Sequence, residues 1–182
     1  MLDRKTMSLD IINITSDMSI QDAINIADMG STIILSAGEY TGVGNNNIQV
    51  NKENLTIKAV EEGKVIINPQ GTKNAVFNIK CDNTTLENLI IKGVTCISGA
   101  VLISSKNNTI KKCTFIDNTS EGAGAIFNDD GDLNVIDSTF TNNKAEITGA
   151  IFNDNGNLNV IDSTFTNNKA EFGGAILSDG GI

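Results

Sequence analysis

Residues 124–144 read GAIFNDDGDLNVIDSTFTNNK, and residues 149–169 read GAIFNDNGNLNVIDSTFTNNK, the same text at an offset of 25. A further start, Gly174-Ala175-Ile176-Leu177, follows at that offset. Gly99-Ala100-Val101-Leu102 stands at the same offset before Gly124, as does Thr114-Phe115-Ile116-Asp117-Asn118 before the segment beginning at Thr139. One repeat earlier Ala75-Val76-Phe77 keeps the offset, whereas Thr85 to Ile91 match at 24, a slip that a turn absorbs. Repetition at this period marks a solenoid, in which each unit buries its apolar face against its neighbours.

The unit is a strand unit. Leu133-x-Val135 and Ser138-x-Phe140 alternate with period two, and the segments are short and rich in Val, Ile, Thr and Phe between Asn, Asp and Gly. Helical repeats would show 3.6-residue spacing, and neither the leucine-rich signature nor GGxGxD nonapeptides are present. Three short strands suit a coil of this period, so the expected fold is all-β: a right-handed parallel β-helix with about 4.8 Å between coils.

Stacking turns the repeats into columns. Phe115, Phe140 and Phe165, with Ile91 below, are expected as an interior aromatic stack, each burial contributing about 1.5–3 kcal/mol. Leu86, Ile110, Val135 and Val160 form a second inward column. Leu89, Cys113, Ser138 and Ser163 form a third, with Cys113 as a small core residue, while Glu87, Lys111, Ile136 and Ile161 face out. Asn118, Asn143 and Asn168 are placed as an amide ladder at a turn. In the GAIF strand three consecutive columns are apolar, and a pleated strand cannot bury all three. Alternation against Asn128 and Asn153 predicts that the Ala75–Ala175 and Phe77–Leu177 columns face in. The Val76–Ile176 column would then face out, either as a flat aliphatic stripe or covered by a partner, and that stripe or the acidic turn columns would be the contact surface.

The expected organisation is an N-terminal arm over residues 1–18, partly disordered, a capping helix over 19–30, and the β-helix over 31–182. Ser19-Ile20-Gln21-Asp22 resembles a capping box, Ile20, Ala23, Ile24 and Ala27 follow helical spacing, and Gly30 is placed as the stop. Strands follow near Thr32–Leu35, Asn47–Val50, Leu55–Ala59 and Val65–Asn68. The chain stops at Ile182, early in another coil, so further coils or another chain are expected to stack there.

The chain has 13 basic against 22 acidic residues, a net charge of −9, which disfavours nucleic acid and anionic lipid as partners. No apolar run is long enough for membrane insertion by this segment, and no secretory signal is visible in it. Cys81, Cys96 and Cys113 make no CxxC pair and read as buried thiols.

The helix, the TIILSAGEYTG stretch from Thr32, the NLTIKA strand from Asn54 and the coils after them resemble the pectin-lyase-like superfamily over nearly the whole chain. The Gly-Ala-Ile and Phe-x-x-Asn elements resemble chlamydial polymorphic outer-membrane adhesins. Their cadence is closer still to adhesin-like surface proteins of methanogenic archaea. The resemblance implies a cell-surface or extracellular module for adhesion or display, with surface glycans or host or neighbouring-cell proteins as partners.

The same superfamily holds polysaccharide lyases and hydrolases, which leaves a carbohydrate-active enzyme with catalytic residues outside this segment, or a structural spacer, as alternatives. Pectate lyases of this likeness use clustered Asp ligands for calcium with a basic residue, and the hydrolases use Asp with His. Here there is no histidine, and Arg4 is the sole arginine. The candidate acids are the columns Asp129, Asp154, Asp179 and Asp137, Asp162. Asp129-Asp130-Gly131 and Asp154-Asn155-Gly156 are also ordinary turn sequences, and acids recurring in every matched coil do not look like a unique active site. No catalytic, cofactor-binding or metal-ligating residue is therefore assigned, and the module is expected to be non-enzymatic. Asn-x-Ser/Thr triplets begin at Asn13, Asn54, Asn83, Asn107 and Asn118, as Asn- and Thr-rich composition allows, and matter only in a secreted protein.

Overall fold

Short strands and sharp corners wind the chain into three long parallel sheets and a two-stranded one of Thr95–Cys96 and Thr119–Ser120, giving about seven turns of about 25 residues with a single short helix. The computed structural model describes residues 10–70 and 73–180. The first face stacks Ile11–Ile14, Thr32–Leu35, Thr56–Ala59, Thr85–Glu87, Asn108–Lys111, Asp132–Ile136 and Asn157–Ile161. The second runs from Gly38–Tyr40 through Thr139–Thr141 to Thr164–Thr166, and the third from Ile48–Val50 through Ile126–Asp129 to Ile176–Asp179. All pairings are parallel, and between the matched coils residue n pairs with residue n + 25, as in Val135 with Val160 and Phe140 with Phe165.

Corners between the faces carry residues that tolerate the left-handed backbone region. Asn88, Lys112, Asp137 and Asp162 turn the chain from first to second face with φ between 49° and 61°. Asp117, Asn142 and Asn167 leave the second face at φ 55–56°, and Asp130 and Asn155 leave the third at 56° and 52°. The acids Asp137 and Asp162 thus occupy a bend that backbone geometry already explains.

The interior follows the expected columns on two faces. Leu86, Ile110 and Val135 are buried in one, Ile91, Phe115 and Phe140 in another. The rings of Phe115 and Phe140 lie 5.0 Å apart with nearly parallel planes, and Phe165 stacks on at 4.7 Å. In the small-residue column the Ser138 hydroxyl accepts from the Cys113 N–H at 3.2 Å, and Ser163 accepts from Ser138 N–H at 3.1 Å. The Cys113 thiol takes the place of a serine hydroxyl, donating to Lys111 O at 3.4 Å.

In the Asn ladder Asn118 and Asn143 are buried and Asn168 is half-buried. Asn143 donates through Nδ2 to Asn168 Oδ1 and Phe115 O, at 2.9 and 3.0 Å. Its Oδ1 accepts from both Asn118 N–H, 3.2 Å, and Asn118 Nδ2, 2.9 Å. Each amide thus satisfies backbone groups of neighbouring coils, so burial costs little.

On the third face the expected phase is inverted. Val101, Ile126 and Ile151 are buried, while Leu102, Phe127 and Phe152 face out, half-buried. The residue that misleads is the neighbouring asparagine: Asn128 and Asn153 point inward and are buried. Asn128 Nδ2 donates to Gly131 O at 3.0 Å and to Asn153 Oδ1 at 2.6 Å, and Asn153 Nδ2 donates to Ser178 Oγ at 3.0 Å. The third face therefore holds an amide ladder of its own. The Ala column is buried as well, because Ala100, Ala125 and Ala150 sit in the bend before the strand rather than in its pleat. The common offset also breaks one coil earlier than expected: Phe77, not Val76, pairs with Val101.

At the N-terminal end, part of the stretch expected as an arm is a strand, with Ile11–Ile14 pairing in parallel with Thr32–Leu35. Residues 1–9 of that arm lie outside the described residues. The helix spans Ile20–Ile26, shorter than expected, with Ser19 accepting from Asp22 N–H as its N-cap. It ends where Ala27 turns to an extended backbone (φ −63°, ψ 143°) and buries its methyl group, and the Lys52 ammonium donates to Asn25 O and Ala27 O. A cation on the last carbonyls complements the helix dipole and closes the helix there. Ile20, Ala23 and Ile24 are buried where the helix packs against the strands Ile11–Ile14 and Ile48–Val50.

Candidate functional site

Outward positions of the third face form the chemically distinctive surface. Strand alternation places the second and fourth residues of IFND outside, so Phe127 and Asp129 share a side. Register then aligns Leu102, Phe127, Phe152 and Leu177 as one outward column, and Asp129, Asp154 and Asp179 as the next. The Phe127 and Phe152 rings stack at 5.1 Å with 6° between planes. The turn feeding the strand adds exposed Glu121, Glu146 and Glu171, joined coil to coil by backbone bonds of 3.1 and 3.0 Å. Exposed Ile97 and Phe172 extend the apolar surface at the same turn.

Among the described residues these six carboxylates have no cation of their own. Ion pairs join Glu39 to Lys92, Asp132 to Lys106 and Glu87 to Lys111 at 3.5–3.8 Å, none of them to a carboxylate of these columns, although the Lys106 ammonium donates to Asp130 O at the neighbouring corner. Like charges at the coil spacing repel by roughly 1 kcal/mol in water, which a basic partner would relieve. The stacked rings turn their faces to one another and their edges to solvent. An edge offers the positive rim of the ring quadrupole and an apolar ridge, not a flat platform.

The acids singled out in the sequence are spread along columns and corners rather than converging. Among the described residues no group of three or more His, Cys, Asp or Glu is placed to hold a metal ion. Arg4 lies outside the described residues. A cleft of about 630 Å³ beside the helix is lined by Ile12, Met18, Ile26 and Val43, with Asp17 and Asp22 as its titratable side chains. The Thr15 hydroxyl donates to Asp17 and holds its carboxyl below the usual range, so Asp17 is a poor proton donor near neutrality. Burial pushes the Cys96 thiol up to about 11 and Cys113 to about 12, which makes both poor nucleophiles in the fold.

Phe127 and Phe152 are the surface residues that sequence reasoning missed. The available signal was the second recurrent Asn column, Asn128 and Asn153, matching in kind the Asn118 ladder already read as structural.

Residues 162–179 match the Chlamydia polymorphic membrane protein repeat. That repeat spans the last outward Leu177 and Asp179, so the matched segment contributes to the surface just described. No curated protein matches the chain in sequence. Among solved structures, a PL6 alginate lyase in complex with a trisaccharide is similar, with TM-score 0.56 and 18% identity over 79% of this chain and 32% of that one. A Geobacillus virus E2 protein, ORF18, gives TM-score 0.55 and 17% identity over 93% of this chain and 42% of that one. The chain thus spans less than half the length of either. At these identities the likeness is one of fold alone, the parallel β-helix.

Proposed function

We propose that this chain is a non-enzymatic, surface-displayed binding module of the adhesin type, with the Phe127–Phe152 ridge and its flanking carboxylates as contact surface. The observation that carries this reading is a repeated apolar column left outside a well-filled core, between two carboxylate columns that pair with no cation among the described residues. Its partner is a surface with basic groups around an apolar patch. Ring edges fit a protein side-chain surface better than the flat face of a sugar. The match to a membrane-protein repeat supports a place at the cell surface.

The alternative, a carbohydrate-active enzyme, is supported by the fold likeness to an alginate lyase. Binding of the purified chain to glycan and protein arrays separates the two. The expected result is saturable, salt-sensitive binding that the Phe127→Ser/Phe152→Ser double variant loses while keeping its circular dichroism. Cleavage of alginate or another acidic polysaccharide, with or without added calcium, would overturn the proposal in favour of the enzyme.

A further inference from the structure

Three of the five Asn-x-Thr/Ser triplets, unevenly spaced along the sequence, fall into one column. Thr56, Thr85 and Thr109 are register partners on the first face, which places Asn54, Asn83 and Asn107 above one another at the corner before it. All three asparagines adopt the left-handed backbone, at φ 59°, 59° and 57°, and all are exposed. The central residue of each triplet, Leu55, Thr84 or Asn108, points into the core, and the threonine lies on the outer side with its asparagine. Each triplet thus presents the acceptor amide and the hydroxyl two positions on to the same solvent side. Lys106 and Asp82 at this corner bond through other atoms, as in Lys106 N–H to Asp82 Oδ1 at 2.8 Å, and leave the three Asn side chains unengaged.

The other two triplets differ. Asn118 is buried and its amide is committed to Asn143 and Ile91 O. Asn13 is exposed, but the hydroxyl of its Thr15 donates to Asp17.

We infer that Asn54, Asn83 and Asn107 form a column of N-glycan acceptors at the corner between the third and first faces. This rests on the reading of the chain as a surface-displayed module. In the transfer, Asn Nδ2 forms a bond to the anomeric carbon of an oligosaccharide carried on a polyprenyl pyrophosphate. The bond from that carbon to the pyrophosphate oxygen breaks, and the amide proton passes to a base of the host's transferase. The column continues upward as Asp132 and Asn157, and Asn157-Leu158-Asn159 lacks the hydroxyl residue, so acceptors end at the coil that carries Asn107. Carbohydrate would then cover the N-terminal half of the solenoid and leave the Phe127–Phe152 ridge uncovered.

The test is translation of the full chain behind a cleavable leader with endoplasmic-reticulum microsomes, followed by site mapping by mass spectrometry after enzymatic deglycosylation. Leader removal and protease protection score translocation separately. The expected result is glycan on Asn54, Asn83 and Asn107 and none on Asn118 in folded chain. The shift should be lost from these sites in the Asn54→Gln/Asn83→Gln/Asn107→Gln variant. It should be lost equally in Thr56→Val/Thr85→Val/Thr109→Val, which keeps the corner asparagines. A translocated chain bare at all three sites, or folded chain carrying glycan on Asn118, overturns the inference. Neither outcome touches the binding-module reading, which stands or falls on array binding.

Discussion

At the scale of single residues, the buried amides matter about as much as the apolar side chains beside them. Truncating Asn143 removes the side-chain partner of Phe115 O and of Asn118 N–H inside the solenoid, and one of the two acceptors of Asn118 Nδ2. Asn143→Ala should therefore cost about 2–5 kcal/mol, since each buried group left unpaired costs about 1–3 kcal/mol. Asn159→Ala, on an exposed outward amide, should stay within about 0.5 kcal/mol. Urea unfolding midpoints with matched slopes measure both, and equal effects would refute the ladder as a stabilising unit. The thiols give a pH prediction. Cys113 keeps its proton in the fold up to about 12, whereas in the unfolded chain it ionises near its ordinary value of 9.0. The unfolded state then binds fewer protons above about 9, so this stabilisation is complete below that pH and declines as pH rises toward 12. Titration with a thiol reagent at mild pH should modify Cys81 first, then the buried Cys96, and Cys113 only on unfolding.

At the scale of strands and turns, the sequence showed the period and two of the three faces, because there polarity and orientation agree. Leu133, Val135, Ser138 and Phe140 are small or apolar where they point inward. The third face broke that agreement. Hydropathy cannot tell an asparagine that faces water from one whose amide is bonded within the coil and to the next, and Asn128 and Asn153 are of the second kind. The candidate surface was hidden for the same reason, since placing Asn outside forces Phe127 inside. The turns carry a different constraint. A Cβ at Gly149 would lie 2.2 Å from Gly174 O and 2.6 Å from Lys169 N, both backbone atoms that cannot yield alone. Gly149→Ala should open this corner, lowering the unfolding midpoint and raising amide exchange at residues 149–154. An unchanged exchange pattern would show that the corner can relax. The interior and exterior stacks should also separate: Phe140→Ala should cost about 3–5 kcal/mol, and Phe127→Ala clearly less, because its partner surface is partly solvent.

At the scale of the whole molecule, each coil touches its immediate neighbours, and stability is close to a sum of coil and interface contributions. The register of the matched coils keeps one constant offset on all three faces. Deleting residues 145–169 joins Lys144 to Ala170, the position that Ala145 held, and leaves each column intact but one member shorter. That variant should fold, with parallel-strand circular dichroism and a modestly lower melting temperature. A deletion one residue shorter leaves its extra residue at a corner, which should absorb it as the corners between coils offset by 24 and 29 residues do, and should lower the melting temperature further without abolishing cooperative unfolding. A heritable consequence follows from this tolerance. Where near-identical coils are encoded by near-identical stretches of gene, misaligned recombination adds or drops whole units. Because a unit can come or go without disturbing its neighbours, the length of the solenoid becomes a trait that can vary between lineages while its surface chemistry stays constant.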